Sequence, residues 1–496
     1  MRLALGAGKA RILLQMLTES LVLSLLGGAV GLLIGYLGRN VLPKLLSSSW
    51  GSTALSPRFD WRVFAFTLTI SVFTGLGFGV GPAWQATRTN VNTGLKDSGI
   101  TSTHRRKGFA GKALVMLQVS LCMLLLVGAG LFLRTLANLN AVDPGFQKND
   151  LLLFAIAPPT QRYPPPQNIE VLHQLEERIV ALPGVESVTL SREPLLAQTR
   201  SSGGFFPDGQ HRDTGREQPA LTNTVGQNFF ATMGIPIRYG RSFEFRDTPT
   251  SPKVAIINQA LARRDFAGMN PVGTTFTTKG QERYEIVGVC ADAKYQGLRD
   301  DASPTFYVLY RQQKDAHNGM TFEVRTRGDP QGVVSAIRGA VRSVDKDLPL
   351  IDVRTQEEQI DATLAPERIF AVVTTGFGIL ALVLASIGIY GVMAYTVARR
   401  VNEIGVRMAL GAQAHEILLM VLSETSWLAL TGICAGLGAA LLLMRFLRSM
   451  LFDLKPTDPC TLASAALLLF GIGMLAGWGP ARRASNIQPV EALRHE

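Results

Sequence analysis

Charge is scarce in this sequence. Asp, Glu, Lys and Arg make up 18% of its 496 residues, against 47% hydrophobic residues. Soluble domains carry about a quarter charged residues, so a wholly water-exposed chain is excluded. Cysteine is also scarce. Cys122 and Cys434 lie in apolar runs, Cys460 borders one, and Cys290 stands alone in the longest polar region. That region has no disulfide partner to draw on and must rest on its core, with Cys290 as a buried inert thiol. The sequence motifs of several chemistries are missing too. There is no G-x-x-x-x-G-K-[ST] loop to cradle phosphates, so the chain by itself is not expected to hydrolyse ATP. H-E-x-x-H, C-x-x-C and G-x-S-x-G are absent, and the six histidines have no metal-ligand spacing. We expect no catalytic residue, no metal and no cofactor of its own. The string GLGFGVG (75–81) lies inside an apolar run and reads as helix packing.

What is present is long apolar runs. Stretches of bilayer-crossing length (~20 residues) occur at 12–37, 63–81, 113–133, 370–397, 417–443 and 462–478. In lipid every backbone polar group must be satisfied within its own segment, so these are helices. The first is too long for a secretory leader and lacks a small-residue cleavage site. Lys and Arg set the orientation. Arg2, Lys9 and Arg11 precede the first run. Arg88, Lys96, Arg105, Arg106, Lys107 and Lys112 lie between the second and third, Arg399, Arg400 and Arg407 after the fourth, and Arg482, Arg483 and Arg494 in the tail. Placing all four groups inside gives six alternating spans, with the segment 135–367 outside. The net charge of +11 is therefore mostly a topology signal. Because the basic residues flank spans, a nucleic-acid partner is not expected; membrane lipid is.

The chain is internally duplicated. Arg2, Ala4, Leu5, Gly6 and Ala7 match Arg407, Ala409, Leu410, Gly411 and Ala412 without a gap, and Glu19, Gly27 and Gly31 match Glu424, Gly432 and Gly436. A second block pairs Gly75, Gly79 and Gly81 with Gly473, Gly477 and Gly479. Gly27, Gly31 and Gly35 are four apart, as are Gly432, Gly436 and Ala440. Such small-residue stripes let helix backbones approach closely, either within the chain or as a dimer seam. Glu19 and Glu424 sit at equivalent places near the start of their runs. Each is either a headgroup-level carboxylate at a helix N-terminus or a buried polar contact that transmits motion.

The polar region 135–367 reads as a mixed α/β domain. LLLFAIAP (151–158), VESVTLS (185–191), YEIVGVCADA (284–293) and TFYVLY (305–310) read as strands. The segment 167–182 has helical apolar spacing. Strands separated by helices suggest split β-α-β units. The Gly- and charge-rich stretch 201–219 reads as a loop.

RRVNEIGVRMALGAQAHEIL (399–418), LVMLQVSLCMLLLVGAGLFLRTLANLNAVDPGF (114–146), LPGVESVTLS, FFATMGIPIRYGRSF and IVGVCADAKYQGLRDDASPTFYVLY together resemble the FtsX-like/MacB-like ABC transporter permeases. The resemblance covers essentially the whole chain. It implies an α-helical polytopic membrane protein of about six helices with an inserted mixed α/β periplasmic domain of MacB-like core type. The implied division is a partial permease repeat with two helices at 1–99, a cytoplasmic linker at 100–111, a first helix at 112–134, a periplasmic core domain at 135–367 and a three-helix permease domain at 368–496. It also implies that the first repeat lacks its own first helix, outer domain and second helix, as a fragment or an internal start would. The implied partner is a cytoplasmic ABC ATPase that binds ATP on a separate chain. A second permease chain or a periplasmic adaptor is a further expected partner. By the same resemblance Arg399, Arg400, Glu403, Gly405, Arg407 and Gly411 form the arm that contacts the ATPase, although Glu403 and Arg407 are also spaced to pair with each other. A membrane scaffold that activates a cell-wall hydrolase, or a secondary transporter, is the alternative reading. The spans lack the charged or broken midplane elements of the latter.

Overall fold

A computed structural model describes residues 9–38, 60–88, 103–197, 199, 201–208, 219–266, 268–314, 319–447, 452–454 and 457–487. In chain order the first elements are three helices, α1 (Lys9–Gly38), α2 (Trp61–Arg88) and α3 (Thr103–Ala141). Then come β1 (Leu151–Ile156), α4 (Gln167–Val180), β2 (Val185–Ser191), β3 (Ser202–Pro207), β4 (Pro219–Val225), α5 (Phe229–Met233) and β5 (Ile237–Gly240). They are followed by β6 (Val254–Asn258), α6 (Gln259–Asp265), β7 (Thr275–Thr278), β8 (Arg283–Cys290), β9 (Thr305–Leu309), β10 (Met320–Thr326), α7 (Val334–Val344), β11 (Ile351–Thr355) and α8 (Gln356–Thr363). The last four are α9 (Ala365–Arg399), α10 (Val401–Ala409), α11 (Ala414–Leu447) and α12 (Pro459–Ser485). The chain divides into a helical unit and an α/β unit, the latter spanning Leu136–Arg368.

Among the described residues of the helical unit five segments are long and apolar enough to cross a bilayer: Leu17–Leu37, Gly111–Ala141, Ala365–Arg399, Ala414–Leu443 and Pro459–Ser485. The sixth expected span, α2, is a 28-residue helix whose apolar part within the described residues is Trp61–Gly77. Helix α3 starts at Thr103, inside the stretch 100–111 read as a linker. A core of Val119, Met123 and Val127 from α3, Ile389 and Met393 from α9, Val421 and Leu428 from α11, and Leu469 from α12 holds four spans together.

The duplication is also visible in three dimensions. Aligned residues open α1 and α11 (Lys9 and Ala414), and aligned residues open α2 and α12 (Trp61 and Pro459). In both pairs, glycines of the later helix meet small residues of the earlier one. Gly75 lies against Ser24, as Gly473 lies against Ala429. A Cβ on Gly79 would stand 3.2 Å from Ser20, and one on Gly477 would stand 2.6 Å from Thr425. Ser20 and Ser24 are the counterparts of Thr425 and Ala429, so one glycine seam serves both copies.

The α/β unit has two lobes. In the first, the strand order is β11-β1-β10-β2 with antiparallel neighbours, and α4 follows β1 as α7 follows β10. This is a split β-α-β sandwich of ferredoxin-like connectivity. The strands alternate so that Phe154, Phe322 and Val324 meet Leu172, Leu175 and Ile179 of α4 and Ile337 and Val341 of α7. The second lobe is inserted between β2 and β10. There β4, β3, β7, β8, β6 and β9 pair in sequence, and β9 returns to pair with β4 in parallel, which closes a six-stranded barrel. Phe205, Phe276, Tyr284 and Phe306 fill it, with the rings of Phe205 and Phe276 4.4 Å apart. The loop expected at 201–219 is thereby corrected. Residues 202–207 form β3 because Phe205 points into the barrel, and 209–218 lie outside the described residues.

Candidate functional site

The expected coupling arm folds as a separate short helix between two spans. Helix α9 stops at Arg399, Arg400 caps α10, and Gly411 turns the chain toward α11. Gly411 has φ +98°, a left-handed conformation that a Cβ would strain. The amphipathic α10 buries Ile404 and Gly405 against the core of the helical unit. Gly405 thus lies on the buried face of α10. On the opposite face Val406 is 45% and Leu410 83% exposed.

The charged residues of the arm form a connected series. Arg407 Nη2 donates to Glu403 Oε1 at 2.8 Å, and Arg400 Nε lies 3.9 Å from Glu403 Oε2. Arg400 Nη1 also donates to Glu424 Oε2 at 3.1 Å, and Glu424 Oε1 pairs with Lys112 Nζ. The series joins α10 to α11 and to α3, the helix that leads into the α/β unit. The Arg399 guanidinium lies 5.5 Å from the ring centre of Tyr395. Arg407 Nη1 also points at Met420 Sδ, 3.0 Å away. A cavity of about 410 Å³ opens at the end of α10, lined by Arg407, Leu410, Ala412, Glu416, Ile417 and Met420.

The two equivalent glutamates differ in their partners. Glu424 is half-buried between two cations, whereas Glu19 is exposed and accepts from Gln15 Nε2 at 3.0 Å. The glycine stripes differ in the same way. A Cβ on Gly432 would stand 2.7 Å from Val119, and one on Gly436 would stand 2.6 Å from Met123, so this stripe packs α11 on α3 within the chain. Gly27, Gly31 and Gly35 have nothing within 4 Å of a Cβ position. Reasoning from sequence missed Lys112 and Leu410. Lys112 is 312 positions from its partner, and only the duplication, which marks Glu424, hinted that a partner should exist. Leu410 belongs to the duplicated MALGA string but was passed over for its charged neighbours. The N-terminal arm at 2–7 lies outside the described residues.

Comparison with known proteins agrees with this architecture. The FtsX-like permease C-terminal family matches residues 1–91 and 375–489, and the MacB-like periplasmic core domain family matches 113–340. A macrolide export ATP-binding/permease protein MacB from Sodalis glossinidius is 29% identical over 284 residues, covering 55% of this chain and 43% of that protein. The uncharacterized ABC transporter permease YknZ of Bacillus subtilis is 26% identical over 329 residues, covering 65% of this chain and 79% of the relative. The chain spans less than half the length of the macrolide export relatives it matches. Among solved structures, the periplasmic region of MacB from Actinobacillus actinomycetemcomitans aligns with a TM-score of 0.31 at 15% identity, covering 45% of this chain and 94% of that one. Two stretches matching the permease family enclose one matching the periplasmic core, in an order that coincides with the helical and α/β units. The chain therefore belongs to the FtsX-like/MacB-like ABC transporter permeases, as a multi-pass inner-membrane protein with a large periplasmic domain.

Proposed function

We propose that this chain is the permease part of an ABC transporter that carries the motion of a separate cytoplasmic ATPase to the periplasmic domain for export. The observation that carries this reading is the outer face of α10. An exposed Leu410 stands beside a cavity, and the neighbouring charges run in series to α11 and α3. A bulky apolar side chain exposed next to fixed charges suits a docking partner. The ion pairs tie the arm to two spans, so a push on the arm reaches both helices. In this reading the division of the chain is the one given by the sequence: 1–99, 100–111, 112–134, 135–367 and 368–496. The arm residues are Arg399, Arg400, Glu403, Arg407 and Gly411, with Leu410 added by its exposure. The relatives named for macrolide export combine ATP-binding and permease parts, which supports an ATPase partner here.

The test is ATP hydrolysis by the cognate ATPase, measured with and without this chain in lipid. Leu410→Asp places a charge in the contact and is expected to lower the stimulated rate at least tenfold, while unstimulated hydrolysis is unchanged. The permease alone is expected to hydrolyse no ATP. An undiminished stimulated rate in the variant overturns the arm assignment. Affinity capture of a cell-wall hydrolase without any ATPase would favour a scaffold role instead.

A further inference from the structure

Helices α8 and α9 are separated by one residue, Leu364, and the helical bond pattern runs through it. Leu364 N–H donates to Ile360 O at 3.1 Å, and Arg368 N–H donates to Leu364 O at 3.0 Å. Both bonds have the four-residue spacing of an α-helix. Arg368 Nη2 donates to Asp361 Oδ1 at 3.0 Å and braces the join from outside. The transmembrane helix α9 is thus prolonged by α8, whose first turn is anchored to β11 by a capping box of Thr355 and Glu358. Gln356, Gln359 and Thr363 of α8 are three and four residues apart and share one face. Gln356 Nε2 donates to Leu195 O at 3.2 Å. Gln359 Nε2 and Thr363 Oγ1 donate to Leu196 O at 3.0 and 2.9 Å. Gln359 Oε1 accepts from Arg354 Nη1 at 2.8 Å, which sets the end of the amide that faces Leu196.

Leu195 and Leu196 are fully buried in the crossover by which the chain leaves β2 of the sandwich lobe for β3 of the barrel lobe. Leu196 has φ +60°, a left-handed conformation that a leucine keeps when its surroundings hold it there. Its N–H donates to Tyr295 O at 2.9 Å, in the segment 291–304 between β8 and β9 of the barrel lobe. Farther along that segment Arg299 Nη2 pairs with Glu367 Oε1 at 3.0 Å, in the first turn of α9. One continuous rod therefore grips two connections of the barrel lobe. Its hold on the crossover is made of hydrogen bonds to main-chain carbonyls, which have direction, whereas apolar packing has none. We infer that α8 is a latch through which α9 sets the angle between the barrel and sandwich lobes, a role that rests on the proposed delivery of motion through the spans. Gln359 and Thr363 are its positioning residues, because they lie toward the end of α8 that moves with α9 and away from the end anchored on β11.

The test is the distance between spin labels on Val180→Cys, at the end of α4, and Tyr239→Cys, on β5, both exposed positions. The full chain is used in lipid nanodiscs, with Cys434→Ser and Cys460→Ser removing the exposed thiols. In the chain alone the wild type is expected to give one narrow distance distribution. Gln359→Glu keeps the bond from Arg354 but turns an acceptor toward Leu196 O, and its distribution is expected to be at least twice as wide. Thr363→Val is expected to widen it too, and Thr363→Ser to match the wild type. With the cognate ATPase, ATP is expected to shift the distance in the wild type and not in Gln359→Glu, while both stimulate hydrolysis equally. Should Gln359→Glu not fold, Thr363→Val against Thr363→Ser carries the same comparison. Distributions that Gln359→Glu and Thr363→Val leave as narrow as the wild type overturn the latch, as does an ATP-driven shift that both retain. A wild-type chain that stimulates no hydrolysis overturns the proposed function instead, and the widths measured in the chain alone still decide the latch.

Discussion

At the scale of single residues, Glu323 is the least expected group in the periplasmic domain. It sits in the middle of β10, fully buried, between Leu153 of β1 and Thr189 of β2. Its neighbours Phe322 and Val324 face the α4 and α7 helices, so strand alternation turns Glu323 to the other side of the sheet. Ser191 Oγ donates to its Oε1 at 2.7 Å. Burial pushes its carboxyl from an ordinary 4.5 up to about 8, against the opposing effect of that hydrogen bond. The native state therefore keeps a proton that the unfolded chain has released between pH 4.5 and about 8. Stability falls as pH rises through that window, by about 1.4 kcal/mol per pH unit. Glu323→Gln keeps the shape and removes the titration. Hydrogen exchange of residues 320–326 should show the wild type losing protection relative to the Gln variant between pH 5.5 and 7.5. Equal protection ratios at the two values would mean that the carboxyl is ionised throughout.

At the scale of elements, the two copies of the glycine stripe make opposite predictions for the same substitution. Gly432→Leu must push α11 off Val119 of α3, and overpacking of this kind costs about 1–3 kcal/mol. A Cβ on Gly27 meets no atom within 4 Å, so Gly27→Leu starts into open space. Thermal melts in detergent should show a clear fall for Gly432→Leu and none for Gly27→Leu, and equal falls would refute the assigned asymmetry. The sequence displayed both stripes but could not say which was filled, because the answer depends on a helix about 300 residues away. The same limit applied in the periplasmic domain. A continuous apolar run, β-branched residues and helical spacing made β1, β2 and α4 legible. The barrel was not legible. Its closure rests on β4 pairing with β9, Leu221 with Thr305, and β7 is only four residues long. The motif marked the segment that folds as α10, but its exposed apolar face was not legible, because Leu410 carries no charge or periodicity of its own to set it apart.

At the scale of the whole molecule, the packing of the helices supports the orientation read from Lys and Arg. Helix α3 runs alongside α11 in the same direction, because Lys112 meets Glu424 and Met123 meets Gly436. Helix α12 runs the opposite way, because Gly473 meets Ala429 and Gly477 meets Thr425. Lys112 at the start of the α3 span Gly111–Ala141, the arm ahead of α11 and Arg482 and Arg483 at the end of α12 therefore share one membrane side. The other ends of α3 and α12 are joined by Arg134 and Asp458, a cation already paired with an acid. Lys and Arg clustered beside span ends stay on the cytoplasmic side, so this basic side is the cytoplasmic one. Helices α1 and α2 copy α11 and α12, including the glycine seam that makes them antiparallel, so they cross in the same order. The chain should then read as six crossings with 135–367 outside. A reporter inserted at Gly94, between α2 and α3, should be active only in its cytoplasmic form, and one at Gly332, ahead of α7, only in its exported form. Both positions reporting from one side would mean that α3 does not cross, and the coupling proposed from the arm to the periplasmic domain would have no membrane to span.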